Sequence, residues 1–457
     1  MLRNLTKALR HHAFNTVRWG FDRIDRFRRR PPPFDGRVPP PERVTIETTR
    51  YCNLTCRMCL PFMDGITVTG PHMEPDKFRQ YASQIFPFVT RFQPSVSGEP
   101  LMTKGFPEMI RQARQFGVSV EIVTNATLLN DRMQDLLLEC ASRVTLSFDG
   151  ADKETFEHIR RSANFDQVVE NIRAFATKVR RLPASERPLI GFNVTIMRRN
   201  IRQLSAIVRL AHELGLHFVT TAHVFPATDE IREESLAHDQ ALAEACIEEA
   251  ACTAKELGIY LRVLPLDDYI VSNAREGNRT SLASASGPVE SRLREREIGS
   301  CAPERSFLDE GYADHSEVMM RRALAWEGAT FPEPQMTSRF PKRERPIWVC
   351  YFLWNAAYVQ LEGGVRPCCM PGPPEVGTLE AESFQEIWNG PAYRELRQRL
   401  VARDPVPVCR GCQHIREIKD PKHIARWLQG GSPPEPEAIA VSPYSALPAN
   451  GATAVEV

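Results

Sequence analysis

The sequence lacks an excess of charge of either sign: 58 Lys and Arg stand against 57 Asp and Glu, for a formal net charge of +1. A balance of that kind creates no field to steer a polyanion, so nucleic acid is excluded as an expected partner. The chain also lacks any apolar run long enough for a membrane span, and no apolar segment with a small-residue cleavage site opens it. A cytoplasmic location is the expectation, and there thiols stay reduced or bind metal rather than pair. What the chain does have is length and cysteine. Its 457 residues are enough for two domains with a large buried core, and seven of its 12 cysteines fall into groups with ligand-like spacing.

The first group lies in the stretch RVTIETTRYCNLTCRMC, Arg43 to Cys59. Its β-branched run, Val44 to Thr49, predicts a strand, and the strand feeds a loop with Cys52, Cys56 and Cys59 spaced C-x3-C-x2-C. A closed zinc site wants four ligands, usually in C-x2-C pairs, so a set of three fits zinc poorly. Three soft thiolates suit an iron–sulfur cluster whose fourth iron stays open for chemistry. Packing alone is the competing explanation, and cysteines seldom gather on one polar loop for that reason.

This arrangement resembles the signature of the radical S-adenosylmethionine (SAM) superfamily. The resemblance implies a 4Fe-4S cluster on Cys52, Cys56 and Cys59 whose open iron is chelated by the methionine moiety of SAM. It further implies reductive cleavage of SAM to a 5′-deoxyadenosyl radical, which takes a hydrogen atom from substrate. A flavodoxin- or ferredoxin-type protein is then the expected electron donor. Met58 stands where many relatives carry an aromatic residue against the adenine, and a polarizable thioether can pack on a purine face.

Beyond these cysteines, strand-like and helix-like runs alternate, the pattern of βα units around a parallel sheet. Candidate strands are Pro94 to Ser97, Val118 to Val123, Arg143 to Phe148, Ile190 to Ile196 and Leu216 to Thr221, with Ile259 to Leu264 a further extended run. The expected fold is α/β: a partial (β/α)6 TIM-like barrel, followed by a small C-terminal β-hairpin-plus-helix domain that binds a cluster. Ligands of such sheets sit at the carboxyl ends of the strands. There Ser97-Gly98-Glu99-Pro100 resembles the superfamily's Gly-Gly-Glu segment, with Gly98 and Glu99 carrying over toward the SAM amino group. In isolation S-G-E-P is only a turn. Thr124-Asn125-Ala126 and Ser147-Phe148-Asp149-Gly150 resemble the family's strand-end segments, which implies that Asn125 and Ser147 bond the ribose hydroxyls or the carboxylate; each could equally cap the next helix. Ala126 stands where glycine is usual. Arg160, in His158 to Phe165, resembles the arginine that pairs with the SAM carboxylate, and its planar fork suits that role. A solvated helix arginine is the alternative.

The flanks are less informative. Met1 to Arg30 has apolar residues at helical spacing with Arg and Lys between them, ended by the Pro-rich segment Pro31 to Pro41. Such a helix can touch an anionic membrane surface, although packing on the catalytic domain is the favoured reading. Asp229 to Gly258 reads as one or two helices, with Cys246 and Cys252 as small packed residues. The expected divisions are a leader at 1–41, the barrel core at 42–266, a linker or insertion at 267–345, the auxiliary cluster domain at 346–420 and a disordered tail at 421–457.

The second cysteine group begins at Cys350. Cys350 and Cys368 flank a predicted hairpin that turns at Gly363-Gly364, Cys369 follows directly, and Cys409-x2-Cys412 closes the group after a helix over Ser383 to Arg403. Four thiols make a complete tetrahedral set, and by spacing alone zinc and an iron–sulfur cluster compete evenly. The hairpin, Val376-Gly377-Thr378-Leu379, Phe384-Gln385-Glu386-Ile387-Trp388-Asn389 and the final pair resemble, in order, the SPASM and twitch auxiliary-cluster domains. No cysteine follows Cys412, so the shorter twitch form is implied, with one auxiliary 4Fe-4S cluster on Cys350, Cys368, Cys409 and Cys412. Cys369 is an alternative to Cys368.

The functional expectation is an enzyme that cleaves SAM and activates an unreactive C–H bond, with the auxiliary cluster moving electrons. A small-molecule dehydrogenase or epimerase is expected first, because the stretch before Arg43 is too short and too helical for a leader-binding winged domain. A maturase of a ribosomal peptide or protein is the alternative, and a non-catalytic, metal-clipped scaffold is the alternative of another class. Cys301, in the segment 267–345, is a candidate hydrogen-atom donor to a substrate radical, weighed against a surface thiol.

Overall fold

The structure is a computed structural model that describes residues 35–59, 69–263, 347–369, 373–410, 412 and 415–418. The leader helix, the whole segment 267–345 with Cys301, and the tail lie outside the described residues. Fourteen strands are described: β1 (Arg43–Ile46), β2 (Thr49–Tyr51), β3 (Thr69–His72), β4 (Arg91–Pro94), β5 (Ser119–Thr124), β6 (Ala141–Ser147), β7 (Leu189–Ile196), β8 (Phe218–His223), β9 (Tyr260–Val263), β10 (Ile347–Cys350), β11 (Ala356–Val359), β12 (Gly364–Arg366), β13 (Gly377–Thr378) and β14 (Ile415–Ile418). Ten of them form one sheet in the order β13-β12-β11-β1-β4-β5-β6-β7-β8-β9. From β11 to β9 every neighbouring pair is parallel, and β12 and β13 add antiparallel at one edge. This is an α/β partial barrel that does not close among the described residues.

Local chemistry explains the elements. In the helix Phe165–Arg181, Asn164 caps the start by accepting from Gln167 N at 2.9 Å, while Val168, Ile172, Phe175 and Val179 recur at helical spacing and are buried against the sheet. Lys178, Arg180 and Arg181 fill its last turn, where cations offset the helix dipole. Under it Phe148 and Phe192 stack with ring centroids 4.4 Å apart. One contiguous apolar core runs from Val44 through these residues to Trp354, Trp388 and Tyr393.

Four boundaries differ from the sequence expectation. The first strand breaks at Glu47-Thr48, and its second half, β2, pairs with β3 instead. The next strand lies earlier, ending at Pro94, because Ser95 takes a left-handed φ of 63° and binds Thr48 and Thr49 through its hydroxyl. The helix expected over Ser383 to Arg403 is two, Phe384–Trp388 and Pro391–Val401, divided at Gly390-Pro391. Proline suits the first position of a new helix and not the interior of a continuous one. Finally, the hairpin of the C-terminal part is not separate from the barrel: β11 lies beside β1, with Arg43 opposite Ala356 and Ile46 opposite Val359.

Residues 35–39 also dock on the C-terminal part. Trp388 Nε1 donates to Pro39 O at 2.7 Å, Asn389 exchanges two bonds with Val38 at 3.0 and 3.1 Å, and Arg394 Nε donates to Asp35 O at 2.7 Å. The Ile-Trp-Asn motif thus holds the chain segment that enters β1.

Candidate active site

The Cys52 to Cys59 loop leaves β2 and is strapped to the segment after the helix Lys153–Ile159. Thr55 N donates to Arg161 O at 3.2 Å and Arg57 N to Ile159 O at 3.0 Å. Cys56 is buried, and Cys52 and Cys59 are half-buried. Burial pushes the Cys52 thiol up to about 11 and raises that of Cys56, against which the Arg160 guanidinium pulls down. As thiolates these sulfurs need a cation. Leu54 N lies 3.4 Å from Cys52 Sγ and Asn125 Nδ2 3.8 Å from it, so N–H donors already point at sulfur. A soft, thiolate-only donor set with inward N–H groups fits an iron–sulfur cluster.

Glu99 organises the neighbouring strand ends. Its carboxylate is buried and accepts from Thr124 Oγ1 at 2.6 Å, Asn125 N at 2.8 Å and Leu101 N at 3.2 Å, and burial raises it to about 7. Gly98 has φ +74°, and a Cβ there would stand 2.7 Å from Tyr51 O and 2.8 Å from Thr49 O, so only glycine lets this turn lie flush on β2. Asn125 does not cap a helix: its amide donates to Asn53 Oδ1 at 3.0 Å and its carbonyl receives Thr127. The next residue, Ala126, takes φ 61°, the conformation glycine adopts most easily, which accounts for the glycine usual at that place.

Arg160 is buried rather than solvated. Its Nε lies 2.7 Å from Asp149 Oδ2, and Asp149 Oδ1 accepts from Thr195 N at 2.6 Å. Burial raises the Asp149 carboxyl while the Arg160 charge pulls it back down, and on the guanidinium the Asp149 charge outweighs the burial that lowers it. Met58 packs against the apolar group Ile159, Met197, Val224 and Ile231. Ser147 ends β6 beside Asn193 of β7. The structure therefore brings together Cys52, Cys56, Gly98, Glu99, Asn125 and Arg160.

Sequence reasoning gave no role to Asp149, Glu47 or Arg50. Glu47 is buried at the end of β1, where it receives Arg50 Nε at 3.0 Å and Nη2 at 2.8 Å, Ser97 Oγ and Tyr358. Arg50 also reaches Glu362 at 2.8 and 2.9 Å, so the loop before Cys52 is tied to the C-terminal hairpin. A glutamate inside a β-branched run was the available signal.

On the inner face of the sheet, Arg43 of β1 pairs with Glu121 of β5 across β4, and Arg91 of β4 lies 3.9 Å from the same carboxylate. Arg143 of β6 covers the Phe218 ring of β8 at 4.1 Å. Gly191 between them leaves room for that ring, since a Cβ would meet it at 2.5 Å.

In the C-terminal group, Cys350 Sγ receives the N–H of Phe352 and Leu353, and burial pushes its thiol up to about 12. Cys412 stands close enough to both Cys350 and Cys409 for their charges to interact. Cys368 interacts with Tyr393, whereas the thiol of Cys369 interacts with Arg43 and Tyr358.

The geometry gathers cysteine thiols, a buried carboxylate and a buried guanidinium at the carboxyl ends of a parallel sheet. Residues 46–182 match the Radical SAM superfamily, and residues 350–413 match the SPASM iron-sulfur cluster-binding domain. Two stretches of this chain thus carry a radical SAM domain and a SPASM cluster domain, and the cofactors these domains imply are SAM and 4Fe-4S clusters.

It is 27% identical over 192 residues to the tungsten-containing aldehyde ferredoxin oxidoreductase cofactor-modifying protein of Pyrococcus furiosus, covering 40% of this chain and 52% of that protein. It is 28% identical over 187 residues to the PqqA peptide cyclase of Xanthomonas campestris pv. campestris, covering 41% and 48%. With the GTP 3′,8-cyclase of Chlorobaculum tepidum identity is 32% over 184 residues, covering 38% and 52%. The chain thus spans about half the length of the curated relatives it matches. Among solved structures, anSMEcpe with bound AdoMet superposes with a TM-score of 0.51 at 14% identity, covering 82% of this chain and 83% of that one. No helix among the described residues is long and apolar enough to cross a membrane.

Proposed function

We propose that this chain is a peptide- or protein-modifying radical SAM maturase, with a SAM barrel over 42–266 and a one-cluster domain over 346–420. Its SAM cluster is held by Cys52, Cys56 and Cys59. Once loaded, the site supplies a 5′-deoxyadenosyl radical that removes a hydrogen atom from an unactivated C–H bond. The observation that carries the reading is the convergence of the cysteine loop with Glu99, Asn125 and Arg160 at the strand ends. Arg160 pairs with the SAM carboxylate, Glu99 holds the Gly98 turn in place, and Asn125, Ser147 and Met58 line the nucleoside.

Similarity to the PqqA peptide cyclase supports a peptide substrate over the small-molecule dehydrogenase or epimerase expected first. Cys350, Cys368, Cys409 and Cys412 hold the auxiliary cluster, with Cys369 the alternative to Cys368. A flavodoxin- or ferredoxin-type donor supplies the electron, and Cys301 remains a candidate hydrogen donor. Similarity to GTP 3′,8-cyclases supports a nucleotide-sized substrate as the second reading.

The test begins with anaerobic reconstitution, where about eight irons per chain are expected for two cubane clusters and about four if the second site takes zinc. Reduced enzyme is then incubated with SAM and, separately, the polypeptide and small-metabolite fractions of a fully deuterated lysate. Deuterium in 5′-deoxyadenosine from the polypeptide fraction is expected. Label from the metabolite fraction alone overturns the peptide substrate, and failure of reduced protein to cleave SAM overturns the enzyme reading.

A further inference from the structure

Arg397, in the helix Pro391–Val401, is completely buried. Its Nε donates to Leu353 O at 2.8 Å, and its Nη1 to Gly36 O at 3.0 Å and Asn389 Oδ1 at 3.1 Å. The guanidinium is sandwiched between Trp388 at 4.4 Å and Tyr393 at 4.7 Å. Every one of these partners is neutral, and Nη2 has no acceptor among the described residues. A guanidinium removed from water in this way is expensive unless a negative charge stands near it. Burial accordingly pulls it down to about 9, far below the ordinary arginine range.

The place of this cation suggests what offsets it. Leu353, which takes the Nε bond, lies three residues after Cys350 on the helix Tyr351–Asn355 that Cys350 caps, a rise of about 4.5 Å. The N–H of the same Leu353 points at Cys350 Sγ. On the other side, Tyr393 is stacked on Arg397 and interacts with Cys368. The guanidinium therefore shares one neighbour with each of two thiols assigned to the auxiliary cluster, Leu353 with Cys350 and Tyr393 with Cys368. A cubane with four thiolates is a net anion in its oxidised state and gains one more negative charge on reduction. A fixed cation in a low-dielectric surrounding favours the reduced state more than the oxidised one.

We propose that Arg397 is the counter-cation of the auxiliary cluster, raising its reduction potential so that it accepts an electron readily. The inference rests on the assignment of Cys350, Cys368, Cys409 and Cys412 to that cluster. Arg397 is a positioning residue here: it acts through the field it imposes. An acceptor cluster is what a net oxidation of substrate requires. The electron left when a substrate radical loses a proton and forms a new bond or double bond passes to the oxidised cluster, which an external acceptor of ferredoxin type re-oxidises.

The experiment uses the full chain with Cys52, Cys56 and Cys59 changed to Ala, so that a single cluster remains. Iron content comes first: about four irons validate the assignment, and zinc or no metal overturns that assignment separately from the inference. Potentiometric EPR titration of Arg397→Met is expected to shift the oxidised-to-reduced ratio at fixed potential at least about tenfold toward oxidised, or 59 mV for one electron. Arg397→Lys, which keeps the charge but not the fork, is expected to stay near the parent value. An unmoved potential in R397M at full iron content overturns the proposal. If R397M does not assemble, R397K decides: parent-like iron and potential support a counter-cation, and loss of either indicates a clamp for residues 35–39.

Discussion

Replacing Asp149 with Asn isolates what the Arg160 pair contributes. The exchange keeps the shape and the Oδ1 acceptor for Thr195 N but sets an amide N–H where Oδ2 faced Arg160, so both the charge and the acceptor opposite Arg160 are removed. Asp149 is fully buried and the Arg160 side chain is 8% exposed, so the guanidinium left behind has no water to turn to. Breaking a buried pair costs about 3–5 kcal/mol. Asp149→Ala should cost about 1 kcal/mol more, because Thr195 N then loses its acceptor as well.

The control is a pair of equal length on the surface. Lys153 and Asp166 also stand 2.7 Å apart but are 56% and 70% exposed, and Asp166→Asn should leave the midpoint of unfolding where it was. Urea unfolding of cluster-free protein under exclusion of oxygen, at unchanged m-value, measures all three. In loaded protein the penalty of D149N should shrink, since the anionic cluster beside Cys56 then faces Arg160. Equal effects of D149N and D166N would refute the argument that burial sets the worth of the pair.

Two further outcomes follow from the same reasoning. Arg50 links buried Glu47 to exposed Glu362, so Arg50→Met should cost about 2 kcal/mol by leaving the Glu47 carboxylate short of a partner. Glu362→Gln should cost less than about 1 kcal/mol, and equal losses in the two variants would contradict the asymmetry. His217 is half-buried, which lowers its imidazolium below the usual range, and its Nδ1 accepts from Ile190 N at 3.0 Å, a bond that only an unprotonated Nδ1 can accept. Its depressed native value means that stability is fully present above the ordinary value near 6.5 and is lost as pH falls from there through the native one. His217→Gln, which can still accept the bond, should flatten that acid limb in a pH series of unfolding midpoints.

The parts of the site that sequence alone determined are those encoded within a few residues. Cys52, Cys56 and Cys59 share one loop, and Cys409 and Cys412 one turn, so their grouping is legible from spacing alone. The alternation of β-branched strands with amphipathic helices likewise determined a parallel sheet with chemistry at its carboxyl ends, because strand and helix periods are local. Ser97-Gly98-Glu99 and Thr124-Asn125-Ala126 were legible for the same reason, although the bond between Glu99 and Asn125 was not.

Only the tertiary structure decided the partners. Asp149 meets Arg160, Glu47 meets Tyr358, and residues 35–39 meet Trp388 and Arg397 because a curved sheet and its docked helices bring distant chain segments into contact. Nothing in the local pattern distinguishes Arg397 from its neighbours Arg394 and Arg399, which hold exposed contacts. Its burial is set by where the two aromatic rings of Trp388 and Tyr393 close over it. Ligand identity is a short-range property of the chain, whereas the charge environment around those ligands is a long-range one, and that physical difference divides what the sequence determined from what folding did.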